Sequence, residues 1–175
     1  MSDISSSQST FPPEQIGAFL RLCAGEWMSL RSQFALGAIS AIDNDNPENL
    51  DADGDAWHSS ERGELVVVFL EAEAAGGAGG LQVGPRDGVA PRQLHFDTDG
   101  GFRSSEQQGR WQLWPDGSLE LVITGAGREV REWIWFTKAN LRLRSTVETS
   151  ADGSPGRASF SSEIRRVSRP SVPAS

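Results

Sequence analysis

Apolar and polar positions alternate most regularly towards the C-terminal end of the chain. Glu129 to Thr149 reads EVREWIWFTKANLRLRSTVET, and Arg157 to Arg165 reads RASFSSEIR. Crowded aromatic and β-branched residues with a period of two predict strands in both flanks of the first stretch and in the second. On that period Arg142 and Arg144 share one face, with Leu141 and Leu143 on the other. In the last strand Ser161, Glu163 and Arg165 oppose Phe160, Ser162 and Ile164. The pair Asp152-Gly153 marks a hairpin between these strands, in a loop longer than two residues. Two antiparallel strands therefore carry charged rows that can meet across the hairpin. Taken alone, the pattern fits an ordinary solvated sheet face.

Upstream, TFPPEQIGAFLRLCAG predicts a short helix over Phe11–Cys23, with Thr10 as cap, prolines in the first turn and Gly25 as the stop. Ile16, Phe19, Leu20 and Cys23 form its apolar stripe, and Cys23, near the wrong helix end for an activated thiolate, is expected to pack there. Trp27 to Leu36 predicts a strand with Trp27, Ser29, Arg31 and Gln33 on one face and a break near Gln33-Phe34, as at a bulge. Ala41 to Asp55 is an acidic loop. Its Asp51, Asp53 and Asp55 imitate a calcium loop, but Gly54 stands at position four instead of six and Arg62 at position twelve, so calcium is not expected.

Trp57 to Leu70 contains a strong strand after Gly63, and EAEAAGGAGGL then reads as a mobile hairpin connection. It is no phosphate loop, because no Lys-Ser/Thr follows it. Short strands are expected around Arg92–Thr98, Gly109–Trp114 and Ser118–Thr124, the last after the turn Pro115-Asp116-Gly117. Trp111 and Trp114 default to packing, and His58 and His95 are isolated from any metal-ligand spacing. One helix and eight to ten closely spaced strands predict an all-β antiparallel up-and-down barrel over residues 11–167, with the helix closing one end. Residues 1–10 read as a disordered start and 168–175 as a flexible tail. A small barrel encloses room for one ligand.

Composition narrows the classes. The 175 residues suit one domain, and their net charge of −8 disfavours a nucleic-acid backbone as partner. The single cysteine excludes an internal disulfide and a cysteine-based zinc cage. No apolar run approaches the ~18–20 residues of a membrane span, and MSDISSSQST lacks the features of a secretory signal. A cytoplasmic location is expected.

The wording of three blocks is more specific than their pattern. WF-x-x-x-NLRLR-S from Trp135, then ASF-x-SEIR from Ala158, and Gly25-Glu26-Trp27-Met28-Ser29-Leu30-Arg31 near the start resemble the S-type (CpcS/CpeS) phycobiliprotein lyases. That resemblance implies a calycin barrel of the lipocalin and fatty-acid-binding type. It implies a lyase that binds an open-chain tetrapyrrole, a bilin, and attaches it by a thioether bond to a cysteine of a phycobiliprotein α or β subunit. Phycocyanobilin or phycoerythrobilin would be the substrate, with no prosthetic group and no metal. Pairing with itself or with a related subunit is a further expectation. The middle, Ile42 to Gln108, departs from the family's usual tryptophan-glycine-tryptophan pattern and reads Val66-Val67-Val68-Phe69, with Phe69 where a tryptophan would meet the chromophore. Histidines that many members carry just beyond the first arginine are absent, so the chain resembles a divergent paralogue of the CpcU/CpeU kind.

On this reading Arg31, Arg142 and Arg144 are candidates to grip the two propionates bidentately. Glu132 would pair with the pyrrole nitrogens as the catalytic carboxylate, supported by Glu163, while Trp135 offers a stacking face and Trp27 a further contact. Glu132 and Trp135 have opposite parity, so both reach one pocket only across a bulge. Two other readings stay open: a noncatalytic bilin carrier or accessory lyase subunit, and a barrel for another hydrophobic carboxylate such as a fatty acid.

Overall fold

The computed structural model describes residues 10–39, 58–73, 76–88, 90–105 and 107–167. The acidic loop, the Ser-rich start and the C-terminal tail lie outside the described residues. A helix α1 (Ile16–Cys23) leads into β1 (Gly25–Ala35) and a single helical turn α2 (Leu36–Ile39). Nine strands follow: β2 (His58–Leu70), β3 (Gly77–Pro85), β4 (Arg92–Asp97), β5 (Gly101–Ser104), β6 (Gln108–Leu113), β7 (Leu119–Gly125), β8 (Arg128–Lys138), β9 (Leu141–Ser150) and β10 (Pro155–Arg165). Each strand pairs antiparallel with its chain neighbour, and β1 closes the ring against β10. The expected closed up-and-down barrel is the fold observed.

Local chemistry moves several boundaries. The helix begins at Ile16 and not at Phe11. Pro13 disfavours helical backbone at Pro12 before it, and neither proline can donate a helical hydrogen bond, so Thr10 caps nothing. Strand β1 runs through Gln33-Phe34 without a register shift against either neighbour, so the expected bulge is absent there. Shifts occur instead at Gly77/Gly79, Phe136/Lys138 and Pro155/Ala158. The glycine-rich stretch expected to be a loose connection supplies the first half of β3. Its glycines are there for closeness: a Cβ on Gly80 would stand 2.6 Å from the Leu94 carbonyl oxygen, and one on Gly79 would stand 2.9 Å from the Phe69 ring. Strand β5 was not anticipated; four residues are too few for a period to be read.

The core gathers at the end where α1 sits. Phe19, Leu20 and Cys23 of the helix pack with Trp27, Phe96, Phe102, Leu119 and Phe136 from the strands. Phe19 meets Phe136 edge to face with ring centroids 5.4 Å apart. The helix stripe thus forms a floor, and the far ends of the strands surround a mouth. No helix among the described residues is long and apolar enough to cross a membrane.

Gly80→Ala should cost about 1–3 kcal/mol, because the added methyl meets backbone that can only shift by bending β4. Gly125→Ala, where a Cβ meets nothing within 4 Å, should stay within about 0.5 kcal/mol of the parent. Urea unfolding of both variants checks the contrast.

Candidate functional site

Strand alternation divides the barrel interior into two unlike halves. From β2 to β7 the inward positions below the mouth are apolar: Leu65, Val67, Leu81, Val83, Leu94, Phe96, Phe102, Leu119, Leu121 and Ile123. From β8 through β10 to β1 they are mostly polar and charged: Glu132, Arg142, Arg144, Thr146, Ser159, Ser161, Glu163, Ser29 and Arg31, with Val130 and Ile134 of β8 the apolar members. Between them lies one cavity of about 730 Å³. A volume in the range of roughly 300–1,000 Å³ suits a small organic ligand. An amphipathic interior of this kind selects a ligand with a long apolar body and a polar edge.

The charged half is organised as a quartet. Glu163 and Arg142 are direct partners across β10 and β9. Arg142 Nε donates to Glu163 Oε2 at 2.5 Å, and the two side chains are 4% and 1% exposed. Arg144, two residues on along β9, donates from Nη1 to Glu163 Oε1 at 3.3 Å and from Nε to Glu132 Oε1 at 2.8 Å, with a second bond from Nη2 to the same Glu132 oxygen. Two cations and two carboxylates cancel, which is what makes their shared burial tolerable. Burial pulls the Arg144 guanidinium down, yet the fields of Glu132 and Glu163 outweigh it and hold it above the ordinary arginine value. Arg144 is thus a permanent cation, and Glu132 keeps a bound counter-charge on one side.

Trp27 supports the quartet from below. Its indole lies 4.5 Å from the Arg142 guanidinium and 4.3 Å from that of Arg165, and its Nε1–H donates to the Cys23 carbonyl at 2.9 Å. Arg165 in turn donates to the carbonyls of Leu22, Ala24 and Ala139, fastening the C-terminal end of α1 to the barrel. Cys23 lines the cavity floor as a buried thiol. Burial pushes its pKa up against the opposing pull of Arg142, so it stays protonated at neutral pH.

The expected site residues therefore fall into three places. Glu132, Arg142, Arg144, Glu163 and Arg31 line one cavity, so the solvated-face reading of the charged rows does not describe this protein. Arg142, expected to meet a ligand carboxylate, is already engaged by Glu163 and Trp27. Trp27 is fully buried beneath Arg142 and is not a lining residue. Trp135 is outside: β8 is unbroken between Glu132 and Trp135, so the indole points outward, tilted against Phe160 with centroids 6.3 Å apart. Phe69 faces inward but sits under α1, covered by Gly79 and the Arg21 guanidinium, and is not part of the cavity lining. Arg92, at the head of β4, lines the cavity and had no role from sequence; its alternation with Leu94 and Phe96 is the signal that could have found it. Among the described residues no cluster of three or more His, Cys, Asp or Glu side chains is placed to hold a metal ion.

Comparison with known proteins agrees with this geometry. A family model described as CpeS-like protein matches residues 97–166, the stretch that carries the quartet. A chromophore lyase CpcS/CpeS 1 from Paulinella chromatophora is 42% identical over 162 residues, spanning 91% of this chain and 92% of the relative. A second protein of that name, from Trichodesmium erythraeum (strain IMS101), is 29% identical over 169 residues, spanning 85% of this chain and 96% of its own. Among solved structures, the S-type phycobiliprotein lyase CPES from Guillardia theta shares the fold with a TM-score of 0.65 at 18% identity, over 90% of this chain and 96% of that one.

Glu163→Ala should destabilise the barrel by about 3–5 kcal/mol, because it strands the Arg142 guanidinium in a dry site. Glu163→Gln keeps the shape and an acceptor oxygen and should cost less. Equilibrium unfolding in urea separates the two; equal, small losses would show that the pair is not buried as described.

Proposed function

Because this chain belongs to the CpcS/CpeS family of chromophore lyases, which attach bilins to phycobiliproteins, we propose that its two-sided cavity holds the bilin and that Glu132 prepares it for transfer. The observation that carries this reading is an inward carboxylate at the border of an apolar cavity, fixed by a permanently charged arginine. The conjugated rings lie against the apolar half formed by β2 to β7. Glu132 faces the row of pyrrole nitrogens, and its negative charge favours the protonated chromophore. Positive charge spread over the rings makes the ethylidene carbon of ring A more electrophilic. The acceptor cysteine thiolate adds to that carbon, forming the C–S bond, while the displaced π pair takes up a proton. The net step is addition of S–H across a double bond, with no leaving group.

The remaining residues act around this centre. Arg144 orients Glu132 through its Nε and Nη2 hydrogen bonds; Arg142, Glu163 and Trp27 hold Arg144's surroundings. Arg31, on the same cavity wall with Nη2 donating to Ser159 Oγ at 3.4 Å, is placed to meet a propionate. Cys23, held as a thiol at the floor, does not compete with the acceptor cysteine. Phycocyanobilin and phycoerythrobilin both have the required ethylidene and propionates, and the acceptor is a phycobiliprotein α or β subunit. Trp135 serves the outer wall and not the ligand. There Met28 and Leu30 of β1 and Phe160 and Ile164 of β10 are exposed side by side, and no charged residue interrupts them from Met28 to Leu30 or from Phe160 to Ser162. We assign that face to pairing with a second copy of this chain or a related subunit.

Glu132→Gln should fold normally, shift the absorption of bound bilin to shorter wavelength and lower covalent yield by about 10²-fold, while binding falls by less than about tenfold. Arg144→Ala should lower the covalent yield as well, since Glu132 then loses the hydrogen bonds that orient it. Co-expression with phycobiliprotein subunits and a bilin-synthesis pathway, read by zinc fluorescence of the denatured products, measures the yield. An unchanged spectrum and yield for Glu132→Gln would remove it from the mechanism. For assembly, light scattering should give a dimer mass for the parent protein and a monomer mass for Phe160→Asp, with bilin binding retained.

A further inference from the structure

Two charged residues share the inward parity of the apolar wall near the mouth, Glu61 of β2 and Arg92 of β4, and Arg92 is the cation. Arg92 opens β4, pairs across to Val83 of β3 and shares inward parity with Leu94 and Phe96. Arg31 lines the same cavity from β1, on the polar half. Among the described residues, neither guanidinium has a carboxylate within ion-pair distance. Arg142 and Arg144 are the opposite case, each bound to a buried or half-buried glutamate.

That difference decides where ligand carboxylates can go. The quartet is neutral, so a carboxylate entering it must displace Glu163 or Glu132 and leave that group without its cation in a dry site. A carboxylate reaching Arg92 displaces no ion-pair partner among the described residues. The three other acids that line the cavity are already engaged: Glu148 with Arg128 at 3.1 Å, Glu64 with Arg86 at 3.4 Å and Arg166 at 3.0 Å, and Glu61 accepting from Gln33 Nε2 at 3.3 Å. Glu61 is the register partner of Arg31, so its charge weakens Arg31 as an anion site; the β3 partner of Arg92 is the uncharged Val83.

We propose that Arg92 is a carboxylate-binding residue of the cavity mouth, holding one bilin propionate from the apolar wall while Arg31 takes the other from the polar wall. The inference rests on the bilin reading above. It moves both propionates away from Arg142 and Arg144 and leaves those arginines to the protein's own glutamates. It also gives the lyase a way to distinguish bilins that carry two free acids from esterified or decarboxylated analogues, independently of the ring chemistry at Glu132.

Phycocyanobilin and its dimethyl ester, titrated into the full chain and into Arg92→Ala, Arg92→Lys and Glu132→Gln, test this. Arg92→Ala should lose about tenfold in affinity for the diacid and change by less than about twofold for the diester. Arg92→Lys should recover part of the loss, and neither Arg92 variant should move the absorption maximum. Equal losses for acid and ester, or no loss for either, overturn the assignment. An acid-selective loss at Arg92 with an unchanged spectrum in Glu132→Gln would support the carboxylate site and sink the protonation role of Glu132. If the parent protein binds neither compound, the bilin reading fails and this site falls with it.

Discussion

Charge neutrality inside the barrel governs the rest of this structure. A guanidinium in a cavity walled by leucine, valine and phenylalanine is costly alone, and two adjacent ones on β9 would repel. Glu163 and Glu132 come from the strands on either side of β9, so the three neighbouring strands supply a complete set of partners. Strand order, register and the polarity of the cavity are therefore not separate features. The sheet must pair β8, β9 and β10 in this order for the arginines to be buried at all.

The floor completes that arrangement. Arg142 lies over Trp27, and Trp27 also receives Arg165, which grips the carbonyls at the end of α1. Helix, indole and quartet are stacked as one column from the closed end of the barrel into its cavity. The helix is thus more than a plug. Its C-terminal carbonyls give Arg165 acceptors, and Arg165 in turn fixes the indole on which Arg142 rests.

The alternation in NLRLR and SSEIR was enough to place Arg142, Arg144, Ser161 and Glu163 on common faces, because a period of two leaves only one choice of face. The same rule separated Glu132 from Trp135, and the unbroken pairing of β8 between these two residues decides the matter in favour of Glu132. Which face turns inward could not be read locally, since Phe160 and Ile164 would ordinarily claim the core. Here the cavity is polar on that side, and the apolar residues face out. Strand β3 was hidden because glycine signals looseness in sequence, whereas Gly79 and Gly80 are used for close approach to Phe69 and Leu94. Arg92 was passed over because a short strand with one charge at its head looks like any exposed strand end. Its significance depends on its having no ion-pair partner among the described residues, which only the folded ring displays.

Closure of the ring pairs Trp27 with Arg165 and Arg31 with Ser161. These contacts join segments more than a hundred positions apart, and such long-range pairing is slow to form. On a ribosome, β1 to β9 emerge before their last neighbour exists. Until β10 docks, the open sheet has two raw edges and Arg142 has no Glu163. The chain therefore acquires its cavity, its internal charge balance and its sealed edges in a single late event. A sequence that slipped by one residue on docking would turn Phe160 and Ile164 inward and Glu163 out, stranding Arg142. The buried ion pair thereby acts as a proofreading contact for the final strand: only the correct register neutralises the interior.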